Sequence, residues 1–235
     1  NKKKSEYSLN YTTVFQNNNT NNRTRVCTYL FENLPMLRRD EVGDGGDYSH
    51  QMHDITLGYN YQQSDSVFFN AKVKYALTDQ PNNDFRSNLK ENGIDMGDLF
   101  DYVSQRITTP TIDLYYEHGL KNRQKIYANI VGSYVKAKTR RNYIEYGSPD
   151  TLFKERFNLF SNKSSVIAEG IYEKGFDYGT LKLGAKYFQS LIKQKIQQHE
   201  VFESDQQQAE FSIFTEWSYR KKYITYSIGF RGNRV

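Results

Sequence analysis

Ten charged residues occupy alternate positions in segments whose intervening residues are largely apolar. They are Asp54, Lys72, Lys74, Asp113, Glu117, Lys182, Lys186, Glu210, Glu216 and Arg231. Because successive strand residues point to opposite faces, this spacing would place the charges on one face of a β-sheet. A charged face can orient a polar solute inside a lumen. Both signs are interleaved, however, so we favour the alternative that opposite charges on neighbouring strands pair with one another.

Aromatic residues near the ends of the same segments form a second candidate set. They are Tyr61, Tyr75, Tyr116, Tyr134, Tyr172, Tyr187, Trp217, Tyr219 and Tyr223. Such rings could stack on sugars in a binding site. An aromatic girdle at the two interfaces of a membrane explains their positions with fewer assumptions, and we favour that interpretation.

Other chemistry has weaker support in the sequence. Asp40, Asp44 and Asp47 lie in a Gly-containing segment and suggest oxygen ligands for Ca²⁺, but their spacing is not that of an EF-hand. We favour an ordinary acidic loop. The four histidines are His50, His53, His118 and His199. None lies at a recognisable spacing from a Ser or Cys nucleophile, and no His/Cys cluster suggests zinc. We therefore predict no enzyme activity, no metal and no cofactor.

The segments that position these residues alternate with a period of two. In residues 54–61 and 67–77 one face is apolar and the other mostly polar. A turn near Ser64 would place Ile55 opposite Val73 and Asp54 opposite Lys74. In the last hairpin, a tight turn after Lys221 would place Trp217 opposite Ile224, and Glu210 opposite Arg231.

Further segments of this kind bring the predicted number of strands to about ten. They include a first pair near residues 6–15 and 25–31, joined by the polar run 16–22. Short turns near 16–23, 62–66, 119–124, 174–179 and 220–222 alternate with long connectors near 33–52, 78–110, 138–163 and 192–206. Within the second connector, residues 95–106 could form a short helix.

Composition favours a membrane sheet over a packed globular core. Only 37% of the residues are hydrophobic, yet 15% are aromatic. No run approaches the 18 or so apolar residues that a spanning helix needs. The net charge of +5 is dispersed, which argues against a nucleic-acid partner, and the single Cys27 excludes an intrachain disulfide. The first four residues, NKKK, read as the start of a mature form or an excised piece.

Alternating turn lengths and long amphipathic strands are typical of outer-membrane barrels, in which short turns face the periplasm and long loops face outwards. We therefore predict an all-β fold, a transmembrane antiparallel up-and-down β-barrel of about ten strands or part of a larger barrel. Residues 1–235 would form one barrel domain or a C-terminal barrel segment, in contact with outer-membrane lipid.

Two stretches resemble the outer-membrane β-barrel family of Bacteroidota that is related to TonB-dependent receptors. They are residues 109–146, TPTIDLYYEHGLKNRQKIYANIVGSYVKAKTRRNYIEY, and 64–83, SDSVFFNAKVKYALTDQPNN. The resemblance implies a surface-exposed barrel that imports or binds a nutrient. It also implies a surface lipoprotein, or TonB acting through a plug domain, as partner. The sequence contains no recognisable plug domain or TonB box.

Three functions remain open from sequence. The first is a barrel that contributes to uptake or surface binding of an extracellular solute. The second is a structural or adhesive surface barrel that transports nothing. The third is a soluble β-rich carbohydrate-binding domain, in which a second sheet would bury Ile55, Leu57, Val73, Ile213 and Ile228.

Overall fold

A computed structural model describes residues 3–18, 23–30, 32, 35–63, 66–147, 151–221 and 224–234. Within them the protein is all-β. The eleven strands are β1 (Lys3–Asn18), β2 (Thr24–Tyr29), β3 (Leu37–Gly43), β4 (Tyr48–Gln63), β5 (Val67–Glu91), β6 (Ile94–Leu120), β7 (Gln124–Tyr146), β8 (Thr151–Phe176), β9 (Gly179–Gln197), β10 (Val201–Lys221) and β11 (Ile224–Arg234). None of the described residues belongs to a helix of the length and apolarity needed to cross a membrane.

The strands form one antiparallel, up-and-down sheet in the order β1-β4-β5-β6-β7-β8-β9-β10-β11. The β2–β3 hairpin lies off this path. Its strand β3 pairs with the far end of β5, beyond the stretch that β4 covers. In the described part of the chain, β1 and β11 each have a neighbour on one side only, so the sheet is not closed into a barrel.

The two faces of the sheet differ in chemistry. We call the face that bears Ile55, Val73, Ile112, Ile130 and Leu183 the apolar face. The register keeps the two faces separate: Leu57 pairs with Val73, Val73 with Ile112, and Leu183 with Thr215. The opposite side, which bears the charged rows, is the polar face. The alternation of apolar and polar residues therefore continues from strand to strand between β4 and β10.

Along their length, β5–β8 divide into two regions. The base is the part next to the turns at 121–123 and 177–178 and to the start of β5, and it carries the apolar face. The extension continues these strands beyond the base, through residues 78–91, 94–108, 135–146 and 151–163, and includes β2 and β3. Buried hydrophobic residues among those described are Phe85, Leu89 and Leu99, all in the extension and exposed by 1, 2 and 1%.

A β-bulge marks the boundary on β5. Between Gln80 and Asn83, β5 contains one more residue than the facing part of β6. Pro81 lies there, and its missing N–H is tolerated where ladder pairing is already interrupted. The extra residue reverses the alternation, so odd-numbered residues of β5 face the polar side beyond the bulge.

The predicted connectors are wrong for most of their length, because strands continue through them. The connector at 78–110 is a hairpin whose turn is Asn92-Gly93, with φ of 50° and 84°. Residues 95–106, predicted as a short helix, belong to β6. These residues of β6 hydrogen-bond to β5 on one side and to β7 on the other, so their backbone groups are not available for helical hydrogen bonds.

Three predicted pairings are also wrong. The first predicted pair does not form, since β1 pairs with β4 and β2 pairs with β3. Ile55 lies opposite Tyr75 rather than Val73, which shifts that hairpin by two residues. Trp217 lies opposite Ile228 rather than Ile224. Each shift is even, so every side chain stays on its predicted face.

Candidate functional site

All ten charged candidates lie on the polar face. The register connects them: Lys72 pairs with Asp113, Glu216 with Lys182, and Ser212 with Lys186. Asp54 pairs with Ala76, on the side of Lys72 and Lys74. The alternation seen in the sequence therefore brings these residues onto one continuous surface.

Some of these charges form ion pairs across strands. Lys74 Nζ lies 3.3 Å from Asp54 Oδ2, and Arg231 Nη2 lies 3.5 Å from Glu210 Oε1. Both contacts run diagonally, because neither pair is directly opposite in the ladder. Long side chains span such offsets. These two contacts pair four of the ten charged candidates with one another.

A groove of about 280 Å³ lies on the polar face of the base. We call it the polar groove. Its lining residues are Tyr115, Tyr127, Asn129, Glu169, Ile171, Glu173 and Lys182. Tyr127 Oη donates a hydrogen bond to Glu173 Oε2 at 3.4 Å. Beside the groove, Tyr115 Oη donates to Glu117 Oε2 at 3.3 Å, and Lys125 Nζ lies 3.0 Å from Glu117 Oε1.

The polar groove combines hydrogen-bonding groups with charge that is not fully paired. Lys182 lies between Glu173 and Glu216 on the neighbouring strands. Among the described residues, Lys182 and Glu169 belong to no ion pair within 4.0 Å. Ring faces, carboxylates, an amide and an ammonium thus line one open cavity. Such a set can hydrogen-bond a polar solute and stack against its apolar faces.

A second cluster occupies the polar face of the extension. Its centre is Arg39 on β3. Arg39 Nε lies 3.3 Å from Glu41 and Nη1 lies 3.6 Å from Glu91, while Nη2 donates to the Glu145 carboxylate. Arg39 Nη2 also donates to Tyr143 Oη at 2.8 Å. One guanidinium therefore joins three strands, β3, β5 and β7.

Three further arginines complete this group, which we call the arginine cluster. Arg141 binds Asp101 in a bidentate manner, with N–O distances of 2.8 and 2.9 Å. Arg23 Nη2 lies 3.8 Å from the same carboxylate. Arg25 Nη2 lies 2.6 Å from Glu41, whose side chain is only 3% exposed. Four arginines thus face four carboxylates, and the cluster is neutral overall.

Burial and pairing shift the pKa values in the arginine cluster, which belongs to the extension. Desolvation alone would lower the pKa of Arg39, but its hydrogen bond to Glu145 and the surrounding charges raise it. Burial, together with the hydrogen bond that it donates to Glu145, raises the pKa of the Tyr143 phenol. Both groups keep their protons, so the cluster is a fixed donor–acceptor network.

The arginine cluster was not among the sequence candidates. Apart from Arg25, which lies in a predicted strand, its members lie in stretches predicted as turns or connectors, where charged residues are expected to be solvated. A signal was present, because Arg39 and Glu41 are two residues apart, as are Arg141, Tyr143 and Glu145. Charged residues at a spacing of two indicate one face of a strand even without an apolar partner row.

The aromatic candidates lie on the apolar face. Those closer to the turns of the base are Tyr61, Tyr116, Tyr172, Trp217 and Tyr219, and those at the opposite margin are Tyr75, Tyr134 and Tyr187. Tyr223 lies outside the described residues. Two aromatic margins therefore flank the aliphatic rows.

The acidic residues suggested for Ca²⁺ do not converge. Asp40 pairs with Arg38 at 2.9 Å, and the Asp44 amide donates to Arg86 O at 2.8 Å. Within the part of the chain that the structure describes, no three His, Cys, Asp or Glu side chains are arranged to hold a metal ion.

Known proteins add no assignment. The sequence matches no protein-family model, and a search of curated proteins gives no significant match. Any functional assignment must therefore come from the chemistry of the two faces.

Proposed function

We propose that this chain forms part of the wall of an outer-membrane β-barrel and contributes to uptake or surface binding of an extracellular polar solute. The supporting observation is the exposure of the apolar face. Ile55, Leu57, Val73, Ile213 and Ile228 are 40, 53, 49, 58 and 59% exposed. A soluble carbohydrate-binding domain would cover these side chains with a second sheet, and no second sheet exists among the described residues.

The height of the apolar face also supports a membrane location. On β5 it runs over residues 67–77, and on β7 over residues 126–134. A tilted strand needs about 9–11 residues to cross the hydrocarbon core. Exposing a surface of this size to water would be costly, whereas lipid stabilises it.

Orientation follows from the difference between the two ends. The base ends in short turns at 121–123 and 177–178, and the extension continues well beyond the apolar face. Outer-membrane barrels have short periplasmic turns and larger extracellular parts. In this proposal the arginine cluster lies outside the cell, and the polar groove lies in the lumen at membrane level.

The free edges bear on how the barrel closes. Removing the β2–β3 hairpin from the eleven strands leaves nine in the path, so β1 and β11 run in the same direction. Unpaired edges are not tolerated in hydrocarbon. An all-antiparallel barrel would need an odd number of additional strands between β1 and β11. This parity favours the alternative in which the sheet is a segment of a larger wall.

Conductance tests the proposed uptake role. The complete barrel that contains this sheet is reconstituted into planar bilayers, and its current is compared with that of the variant E169Q/E173Q, which neutralises two carboxylates of the polar groove. We expect ion current, with cation preference reduced about twofold in the variant. The control E203Q/D205N neutralises two carboxylates of β10 that lie on the other face of the sheet from the polar groove, and it should leave the cation preference unchanged.

One observation favours the second candidate, a structural or adhesive barrel. The charges of the arginine cluster pair with one another, and the ion pairs of Arg39 link β3, β5 and β7 within the extension. That arrangement suits a projecting scaffold. A membrane-inserted protein that carries no current and binds no solute would favour this candidate over uptake.

A further inference from the structure

Basic side chains lie on the same side of the sheet as the apolar face, in the part of the extension that directly adjoins it. Arg106 on β6 pairs in register with Lys138 on β7, and Ser104 pairs with Arg140. Lys136 is two residues beyond Tyr134, the last aromatic residue of the apolar face on β7. We call Arg106, Lys136, Lys138 and Arg140 the basic patch.

The basic patch has little internal neutralisation. None of its four members takes part in an ion pair within 4.0 Å among the described residues, and Arg106, Lys136 and Arg140 are exposed. The neighbouring lysines of β9 differ. Lys193 lies 3.9 Å from Asp205, and Lys195 lies 2.7 Å from Glu203. Charge is therefore available on β6 and β7 and already paired on β9 and β10.

The patch surrounds a groove of about 240 Å³. Lining residues that bear on binding are Asp79, Tyr102, Ser104, Arg106, Lys138 and Arg140. Three cations and a Ser hydroxyl outnumber the single carboxylate. Guanidinium groups match the geometry of phosphate oxygens and can bind them through two hydrogen bonds.

We propose that the basic patch binds the phosphorylated headgroup of an outer-leaflet lipid. This inference rests on the proposed membrane location. Continuity with the apolar face favours a lipid, because acyl chains would lie on that face directly below the headgroup. Lys136 and Lys138 lie two and four residues beyond Tyr134, or about 7–13 Å along a strand that rises about 3.3 Å per residue. Long basic side chains can reach back to the headgroup level.

The test compares lipid binding by folded protein in detergent micelles. Native mass spectrometry measures retention of diphosphorylated lipid A by the wild type, by R106Q/K138Q/R140Q and by K193Q/K195Q. Membrane-adjacent basic residues strengthen binding to an anionic surface, so we expect the triple variant to bind about tenfold more weakly or worse. The K193Q/K195Q control should bind like the wild type, since its lysines are already paired. Equal binding by the wild type and the triple variant would overturn the proposal.

Two competitors separate a lipid from a free anion. Dephosphorylated lipid A should bind the wild type as weakly as lipid A binds the triple variant. Inorganic phosphate at millimolar concentration should displace little lipid A. Ready displacement by inorganic phosphate would overturn the lipid assignment and indicate a free-anion site instead.

Insertion into vesicles separates failure of this inference from failure of the proposed function. Protease protection of β7 is measured for every variant. If both proteins are protected and the triple variant binds lipid A as the wild type does, the lipid-binding role of the basic patch is wrong and the membrane location stands. If the wild type is not protected, the membrane location is wrong. If the triple variant does not insert, R106K/R140K supplies the test. It keeps the charge but loses bidentate geometry, so weaker binding supports the proposal and unchanged binding contradicts it.

Discussion

The base and the extension share strands β5–β8 but use opposite means of stabilisation. In the base, one face is apolar and exposed, and the other carries a groove with charge that is only partly paired. In the extension, basic residues occupy the side that continues the apolar face, and the polar side holds a neutral arginine cluster beside Phe85, Leu89 and Leu99.

Under the proposed membrane location, this difference corresponds to two environments along the same strands. A sheet surrounded by lipid needs an apolar outer surface and gains nothing from charge there. A sheet projecting into water must bury its own small core and pair its charges. The boundary lies where the alternation of β5 reverses at Pro81.

The largest expected effect concerns the arginine cluster. Arg39→Ala would leave the carboxylates of Glu91 and Glu145 without this cation, and Glu41 with Arg25 alone. Breaking a buried pair by removing one partner costs about 3–5 kcal/mol. We expect a loss of about 3 kcal/mol in the free energy of local opening, measured by hydrogen exchange of the β3 amides.

The adjacent Arg38→Ala is the matched control. Arg38 pairs with Asp40 at a site where the arginine is 57% exposed. Exposed pairs contribute about 0–1 kcal/mol, so exchange should change little. Equal effects of the two substitutions would show that the extension does not depend on the cluster.

The next effect concerns the apolar face of the base. Ile130→Lys would place a charge in the middle of the proposed lipid-facing band, at a cost of about 2–4 kcal/mol in unfolding free energy. Val131→Lys is the control at the same depth. Val131 lies on the polar face directly opposite Asp113, so a lysine there gains a partner. Denaturant titration of the vesicle-inserted protein measures both, and similar costs would contradict the assignment of the faces.

A smaller, pH-dependent effect is expected at Asp84 in the extension. Burial, and then the nearby Asp47 charge, raise the pKa of Asp84, partly offset by Arg86. A carboxyl group whose folded-state pKa is raised binds its proton more tightly when folded, so its ionisation lowers stability as the pH rises through that pKa.

Asp84→Asn should therefore stabilise the extension at neutral pH, by less than about 1 kcal/mol. The advantage should vanish as the pH falls below the ordinary pKa of a carboxyl group, where both side chains are neutral. Hydrogen exchange of the β5 amides at several pH values measures this. An advantage that grows on acidification would contradict the raised pKa.

How much of the fold could be predicted from sequence differs between the regions. The base was readable because apolar residues recur at every second position there, as in Ile55, Leu57 and Tyr59. The extension was not, since charged residues occupy both of its faces and hydropathy does not alternate. Asn92-Gly93 was the missed signal, because a type I′ turn needs two residues with positive φ and this dipeptide supplies them.

The faces were easier to predict than the pairings. Each hairpin register depends on where the turn begins, which the sequence near Ser64 and after Lys221 does not specify. The predicted contacts of Asp54 with Lys74 and of Glu210 with Arg231 nevertheless form, because long side chains bridge the shifted positions. The arginine cluster could not be assembled in advance, since it depends on β3 pairing with β5 rather than on any local pattern.

The most direct test of the membrane assignment is fluorescence quenching along β7. Single cysteines are placed at positions 127–134 in a Cys27→Ser background, labelled, and reconstituted into vesicles that contain brominated lipid. We expect strong quenching at the even-numbered positions, which lie on the apolar face, and weak quenching at the odd-numbered positions. Uniformly weak quenching, or quenching without this alternation, would contradict the membrane assignment.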